Sequence, residues 1–206
     1  MDDATTTLLR YLRTNRADLR GKVDGLTEYD ARRPLTPTGT NLLGLVKHVA
    51  SVQLEYFTAV FDRPSGVSAP WLAQDAANDA DMWVTADETR ASILEFHDAS
   101  ARISDETIEA LPLDAPGRVP WWPDDRAATT LHQILVHVIA ETARHAGHAD
   151  VLRELIDGTA GMRPGDGNLP QRPADEWSAY HARIESAARE ADAREADARE
   201  EDAREA

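Results

Sequence analysis

Apolar side chains recur at three-to-four spacing along four stretches of the chain, the pattern of helices that bury one face. Leu8, Leu9, Leu12, Leu19 and Val23 mark the first, from about Thr5 to Leu26. The second opens behind Thr40 or Asn41 as N-cap and runs to about Phe61, carrying Leu42, Leu45, Val46, Val49, Val52, Phe57 and Val60. Pro64 and Gly66 end it. Thr85-Ala86-Asp87-Glu88 fits a capping box and opens the third, which reaches about Leu111. Thr130-Leu131-His132-Gln133 repeats that pattern for the fourth, which runs to about Asp157 and stops at Gly158. Between the helices lie a short turn around Thr27–Arg32, a loop reaching past Trp71 and Trp83, and a loop over 112–128 with four prolines and the pair Trp121-Trp122. No segment alternates at period two, so no strand is expected. Four helices joined by substantial loops predict an all-α fold, a four-helix bundle.

The pattern changes after Ile184, where no apolar residue larger than alanine remains. From Ala188 an Ala-Arg-Glu-Ala-Asp unit repeats, with Arg189, Arg194, Arg199 and Arg204 five residues apart. A period of five keeps no stripe on one side of a 3.6-residue helix, so this acidic tail is expected to be disordered or loosely helical and solvated. Just before it, Trp177, Tyr180 and Ile184 recur at helical spacing and predict a short segment docked on the main domain, across the Pro- and Gly-rich stretch 161–173. The expected organisation is a bundle domain over 1–187 and a charged low-complexity tail over 188–206.

Charge and composition narrow the chemistry. The 206 residues include 22 Lys and Arg against 37 Asp and Glu, a formal net charge of −15, and the tail contributes −4 of it with eight acidic and four basic side chains. Such a chain repels phosphate backbones, so nucleic acid is not the expected partner. No apolar run approaches the roughly 18 residues of a membrane span. The start, Met1-Asp2-Asp3-Ala4, lacks the order of a signal peptide, and a soluble cytoplasmic protein is expected. Cysteine is absent, which removes disulfides, thiolate nucleophiles and cysteine-based metal sites together. A metal must then be held by His, Asp or Glu, and a thiol must come from elsewhere.

Four of the seven histidines fall on the fourth helix. Taking His137 as zero, Glu141, His145 and His148 lie at about 40°, 80° and 20° around it, with Ile134 and Leu152 on the same side. A polar patch bracketed by apolar residues on one face points to a site inside the bundle. Glu141 and His145, four apart, are close enough to share one small cation. On the second helix, His48 and Glu55 sit among Leu45, Val52 and Ala59, where an unpaired polar group is costly. A metal shared with the fourth helix would satisfy His48, and Glu55 could orient it. His97 and His132 read as hydrogen-bonded packing residues.

Leu42-Leu43-Gly44-Leu45-Val46-Lys47-His48-Val49, followed by Glu55-Tyr56-Phe57, resembles the second-helix signature of the DinB-like metal-dependent four-helix bundles. Glu141-Thr142-Ala143-Arg144-His145-Ala146-Gly147-His148-Ala149-Asp150, continuing through Leu155, resembles their fourth-helix signature. The resemblance covers about residues 5–187. Glu then His at the two later positions is the pattern of members that resemble the mycothiol-dependent maleylpyruvate isomerases. The resemblance implies that His48, Glu141 and His145 are metal ligands. His148 is then a contact to ligand or substrate and the fallback ligand, with His137 behind it. Two imidazoles and a carboxylate leave open positions on a divalent ion; zinc is the first expectation, and Ni²⁺, Mn²⁺ or Fe²⁺ fit the same donors. The resemblance also implies a low-molecular-weight thiol, mycothiol or bacillithiol with mycothiol the leading expectation, as cosubstrate that is conjugated to, or isomerises, a small electrophile. The Ala-, Arg- and Asp-rich composition agrees with an actinobacterial source. Two other readings stay open, a non-catalytic metal-binding stress-response bundle and a metal-assisted hydrolase. Trp71, Trp83, Trp121 and Trp122 could line a substrate mouth or anchor loops, and a homodimer is compatible with a bundle of this size.

Overall fold

The computed structural model describes residues 3–162 and 169–205. The chain forms two compact units, Met1–Gly167 and Asn168–Ala206. In the first, α1 (Asp3–Gly21), α3 (Leu42–Thr58), α4 (Arg90–Ala110) and α6 (Leu131–Asp157) make the four-helix bundle, and α2 (Glu28–Arg32) is one short turn of helix behind the N-cap Thr27. α3 packs on α4 and α6, and α1 on the same two helices. The fold is the all-α four-helix bundle that the hydrophobic period predicts.

Helix ends follow their caps. Asn41 Oδ1 accepts from Gly44 N at 2.8 Å and starts α3. Thr130 and Gln133 form the expected capping box of α6, and Gly158, at φ 76°, stops it in the left-handed region. Three boundaries differ from the sequence expectation. α1 ends at Gly21, five residues early, in a turn over 22–25. α4 starts at Arg90, because Thr89 and not Thr85 accepts from a backbone N–H of the first turn. Glu88 does accept from Thr85 N at 2.7 Å, so the Thr85–Glu88 pattern closes a turn ahead of the helix. The 112–128 region is not all loop. β1 (Pro116–Arg118) pairs antiparallel with β2 (Ala128–Thr130) around α5 (Asp124–Ala127). Strands of three residues are too short to show an alternation.

Buried apolar residues gather mainly into two groups on either side of the bundle's middle. Leu19, Val23, Leu45, Val46, Val49, Ile93, Ala149 and Leu152 belong to one. Leu9, Leu12, Phe57, Val60, Ile108, Leu131, Ile134, Leu135 and Val138 belong to the other. The stretch of α6 between Val138 and Ala146 holds Glu141 and His145.

In the second unit, α7 (Ala174–Glu205) carries Trp177, Tyr180, Ile184 and the repeat in one continuous helix. Good helix formers and Glu-to-Arg pairs at i,i+4 account for its length: Glu185 with Arg189, Glu190 with Arg194, Glu195 with Arg199. Among the described residues, no helix is long and apolar enough to cross a membrane.

Candidate metal centre

α3 is buried on nearly every side, so a polar side chain on it must find a partner inside the protein. His48 finds two. Its Nδ1 lies 2.7 Å from Asp81 Oδ2, and its Nε2 lies 3.6 Å from Glu141 Oε1 on α6. One turn along α6, His145 Nε2 sits 2.8 Å from the same Glu141 oxygen. The His48 and His145 rings meet edge-to-face with centroids 4.9 Å apart. His48, Glu141 and His145 thus each offer one ligand atom, all within 4.8 Å of one another, and all three are half-buried.

The three residues singled out from spacing are therefore brought together, from two helices 93 positions apart in sequence at Glu141 and His48. Donors about 2.1 Å from a tetrahedral ion stand roughly 3.4 Å from one another. The 3.6 Å separation of His48 and Glu141 fits that spacing, and Glu141 and His145 stand closer, within hydrogen-bond distance at 2.8 Å. Histidines that bind metals characteristically give their second N–H to a carboxylate, and Asp81 occupies that position on His48.

The groups set one another's charge. Burial works to lower the His48 pKa, but the hydrogen bond and charge of Asp81, with Glu141, outweigh it and leave His48 raised. Burial would lift Glu141, yet His145 and His48 hold its carboxyl below the ordinary range. His145 is lowered, chiefly by burial, against the opposing pull of Glu141. His148 is exposed and brings Nδ1 to 3.4 Å from His145 Nδ1, so it touches the cluster from outside. His137 stands apart from it, packed against Tyr56 and Trp122. His97 is buried, with Nδ1 3.3 Å from Asp98, and His132 is exposed, so His132 is no packing residue of the core.

Sequence reading named Glu55 as the group that orients His48; Asp81 does so instead. Asp81 comes from the loop between α3 and α4, which no helical period could place. What holds that loop is Lys47, next to His48 and wholly buried. Its ammonium donates to Ala80 O at 2.8 Å and Trp83 O at 3.0 Å, and pairs with Glu88 at 2.8 Å. Asn41 Nδ2 donates to Met82 O at 3.2 Å, and a Cβ at Gly44 would lie 2.0 Å from that oxygen, so only glycine lets the loop lie this close. The signal was present in sequence: a lysine within the apolar run Leu42–Ala50 needs an internal anchor. Trp71 is an anchor as well, donating Nε1 to Ser51 Oγ at 2.8 Å, under the Lys47 ammonium and against Phe96.

A family model described as mycothiol-S-transferase matches residues 7–158, which take in α3, α4 and α6 whole, all of α1 but its first turn, and every residue of the cluster. No curated protein matches the chain. Among solved structures, the crystal structure of the conserved protein of locus from Enterococcus faecalis is similar, with a TM-score of 0.55 and 16% identity, over 77% of this chain and 100% of that one. At that identity the likeness is one of fold.

Proposed function

The chain belongs to the mycothiol S-transferase family, a DinB-like family, and from that premise we propose a metal-dependent S-transferase that uses mycothiol to conjugate or isomerise a small electrophile. His48, Glu141 and His145 hold the divalent cation, zinc before Ni²⁺, Mn²⁺ or Fe²⁺. The convergence of these three donor atoms within 4.8 Å is the observation that carries the reading. A divalent cation bound there lowers the pKa of a coordinated thiol, so that the nucleophile is a thiolate at neutral pH. The chain's own residues prepare the site for it. Asp81 takes the Nδ1–H of His48 and so leaves Nε2 as a donor atom facing the space it shares with Glu141 and His145. Glu141 brings a single negative charge, so two neutral imidazoles and one carboxylate leave net positive charge at the centre to attract an anionic sulfur. With no cysteine in the chain, the sulfur comes with the ligand.

Isothermal titration of mycothiol into metal-loaded protein should give binding heat with wild type and none with His48→Ala. Heat of dilution alone from both proteins would overturn the reading. Metal analysis addresses the donors separately. Glu141→Ala and His145→Ala should each lose most bound metal, and stoichiometric metal in both would place the ligands elsewhere.

A further inference from the structure

The seam between α3 and α6 continues past the cluster. His48 faces His145, and Tyr56 faces His137 with ring centroids 5.0 Å apart. The number rises by eight on one helix as it falls by eight on the other, so the helices are antiparallel here and the two pairs stand about 12 Å apart along the axis. Tyr56 and His137 begin an aromatic group completed by the loop before α5. Trp121 meets Tyr56 edge-to-face at 5.1 Å, and Trp122 meets Tyr56 at 6.1 Å and His137 at 5.4 Å. Trp122 also donates Nε1 to the Tyr56 hydroxyl at 3.1 Å and packs on the apolar core. That contact suffices to anchor the loop. Trp121 stays outside the core group and keeps 44% of its surface open, and His137, which shares Tyr56 as a ring neighbour, is exposed. An exposed indole and an exposed histidine packed on one buried tyrosine make a surface offered to a ligand.

Resting on the function proposed above, we infer that this aromatic group, with Trp121 as its open face, is the subsite for the glucosaminyl-inositol portion of the thiol. In mycothiol the sulfur and the two rings lie at opposite ends of the molecule. A thiol fixed by its sulfur at the metal centre must lay those rings along the seam, on the scale of the ~12 Å helical offset. The other direction is taken: the 80–83 segment lies on Gly44, and Asp81 occupies the far nitrogen of His48. Ring C–H groups carry partial positive charge and settle on the negative face of an indole, while hydroxyls find the polar edge of His137. The electrophile then approaches the sulfur from the side that the sugar leaves free.

The test compares mycothiol with N-acetylcysteine, which keeps the thiol and lacks the rings, on metal-loaded wild type and Trp121→Ala by titration calorimetry. Trp121→Ala should bind mycothiol about threefold to tenfold more weakly, leave N-acetylcysteine unchanged, and be rescued in part by Trp121→Phe. A probe free of the metal is glucosaminyl-inositol itself, added to metal-free protein. It should shift the indole N–H resonance that disappears in Trp121→Ala. Equal mycothiol affinity in wild type and Trp121→Ala overturns the subsite and leaves the proposed function standing, as does an equal loss for both thiols. Failure of wild type to bind mycothiol at all overturns both.

Discussion

Asp81 acts on the centre only through His48, and that relation can be measured. A neutral amide in its place still accepts the Nδ1–H but no longer strengthens the imidazole as a donor. Asp81→Asn should weaken metal affinity about 10-fold to 100-fold while leaving the thermal midpoint of the metal-free protein nearly unchanged. Competition with a chromogenic chelator measures the first, and equal affinity in both proteins would remove Asp81 from the site. A second single residue sets part of the acid stability. His97 is buried, and burial lowers its pKa below the ordinary 6.5 despite the opposing pull of Asp98. Below that value the unfolded chain takes up a proton that the folded chain refuses. Stability therefore falls as pH drops from about 6.5 toward the depressed folded value, by up to about 1.4 kcal/mol per pH unit within that window. His97→Gln should show a smaller loss of midpoint temperature between pH 7.5 and 5.5 than wild type. Identical losses would assign the acid sensitivity elsewhere. Sequence already set His48 apart from the packing residue His97, because a matching polar patch on the fourth helix stood opposite His48; His132, read alongside His97, is exposed in the fold.

Among the elements, the long helices and the inward faces that carry the candidate donors were legible because a 3.6-residue period carries both burial and facing. Helix angles put His48, Glu141 and His145 on inward faces, since regular helices transmit position without reference to loops, and the resemblance to the DinB-like signatures picked these three out of the wider polar patch. The 62–89 connection was not legible, because its conformation is set by tertiary partners. Thr85-Ala86-Asp87-Glu88 has the letters of a capping box and serves as a turn, with Glu88 taking both Thr85 N and the Lys47 ammonium. Lys47 is thus the joint between α3 and the loop that delivers Asp81. Removing its charge leaves Ala80 O, Trp83 O and Glu88 without their shared donor. Lys47→Met should cost about 3 kcal/mol in urea unfolding, within the range for breaking one side of a buried pair. It should also lower metal affinity although Lys47 is no ligand. Loss of stability with metal affinity intact would mean that Asp81 is held by other contacts.

The bundle places its polar chemistry where its two largest apolar groups leave a gap between α3 and α6. Buried polar residues such as Arg16, Gln53, Ser100 and Thr142, together with half-buried His48, Glu141 and His145, weaken the middle of an otherwise apolar interior. A cation drawn between α3 and α6 ties that middle together, so binding and folding are linked. At a free metal concentration 100-fold above Kd, the linkage amounts to about 2.7 kcal/mol. For a chain of this size that is a rise of roughly 5–10 °C in midpoint temperature. Among the described residues the three donors all belong to the first unit, the family match ends at residue 158, and α7 carries its own Glu–Arg pairs. A chain ending at residue 167 should therefore show the same metal-induced rise as the full chain, with His145→Ala showing none in either length. Scanning calorimetry with and without zinc measures it. A truncated chain whose rise is abolished would make the second unit part of the metal-binding fold, and His145→Ala with an undiminished rise would detach the linkage from this centre.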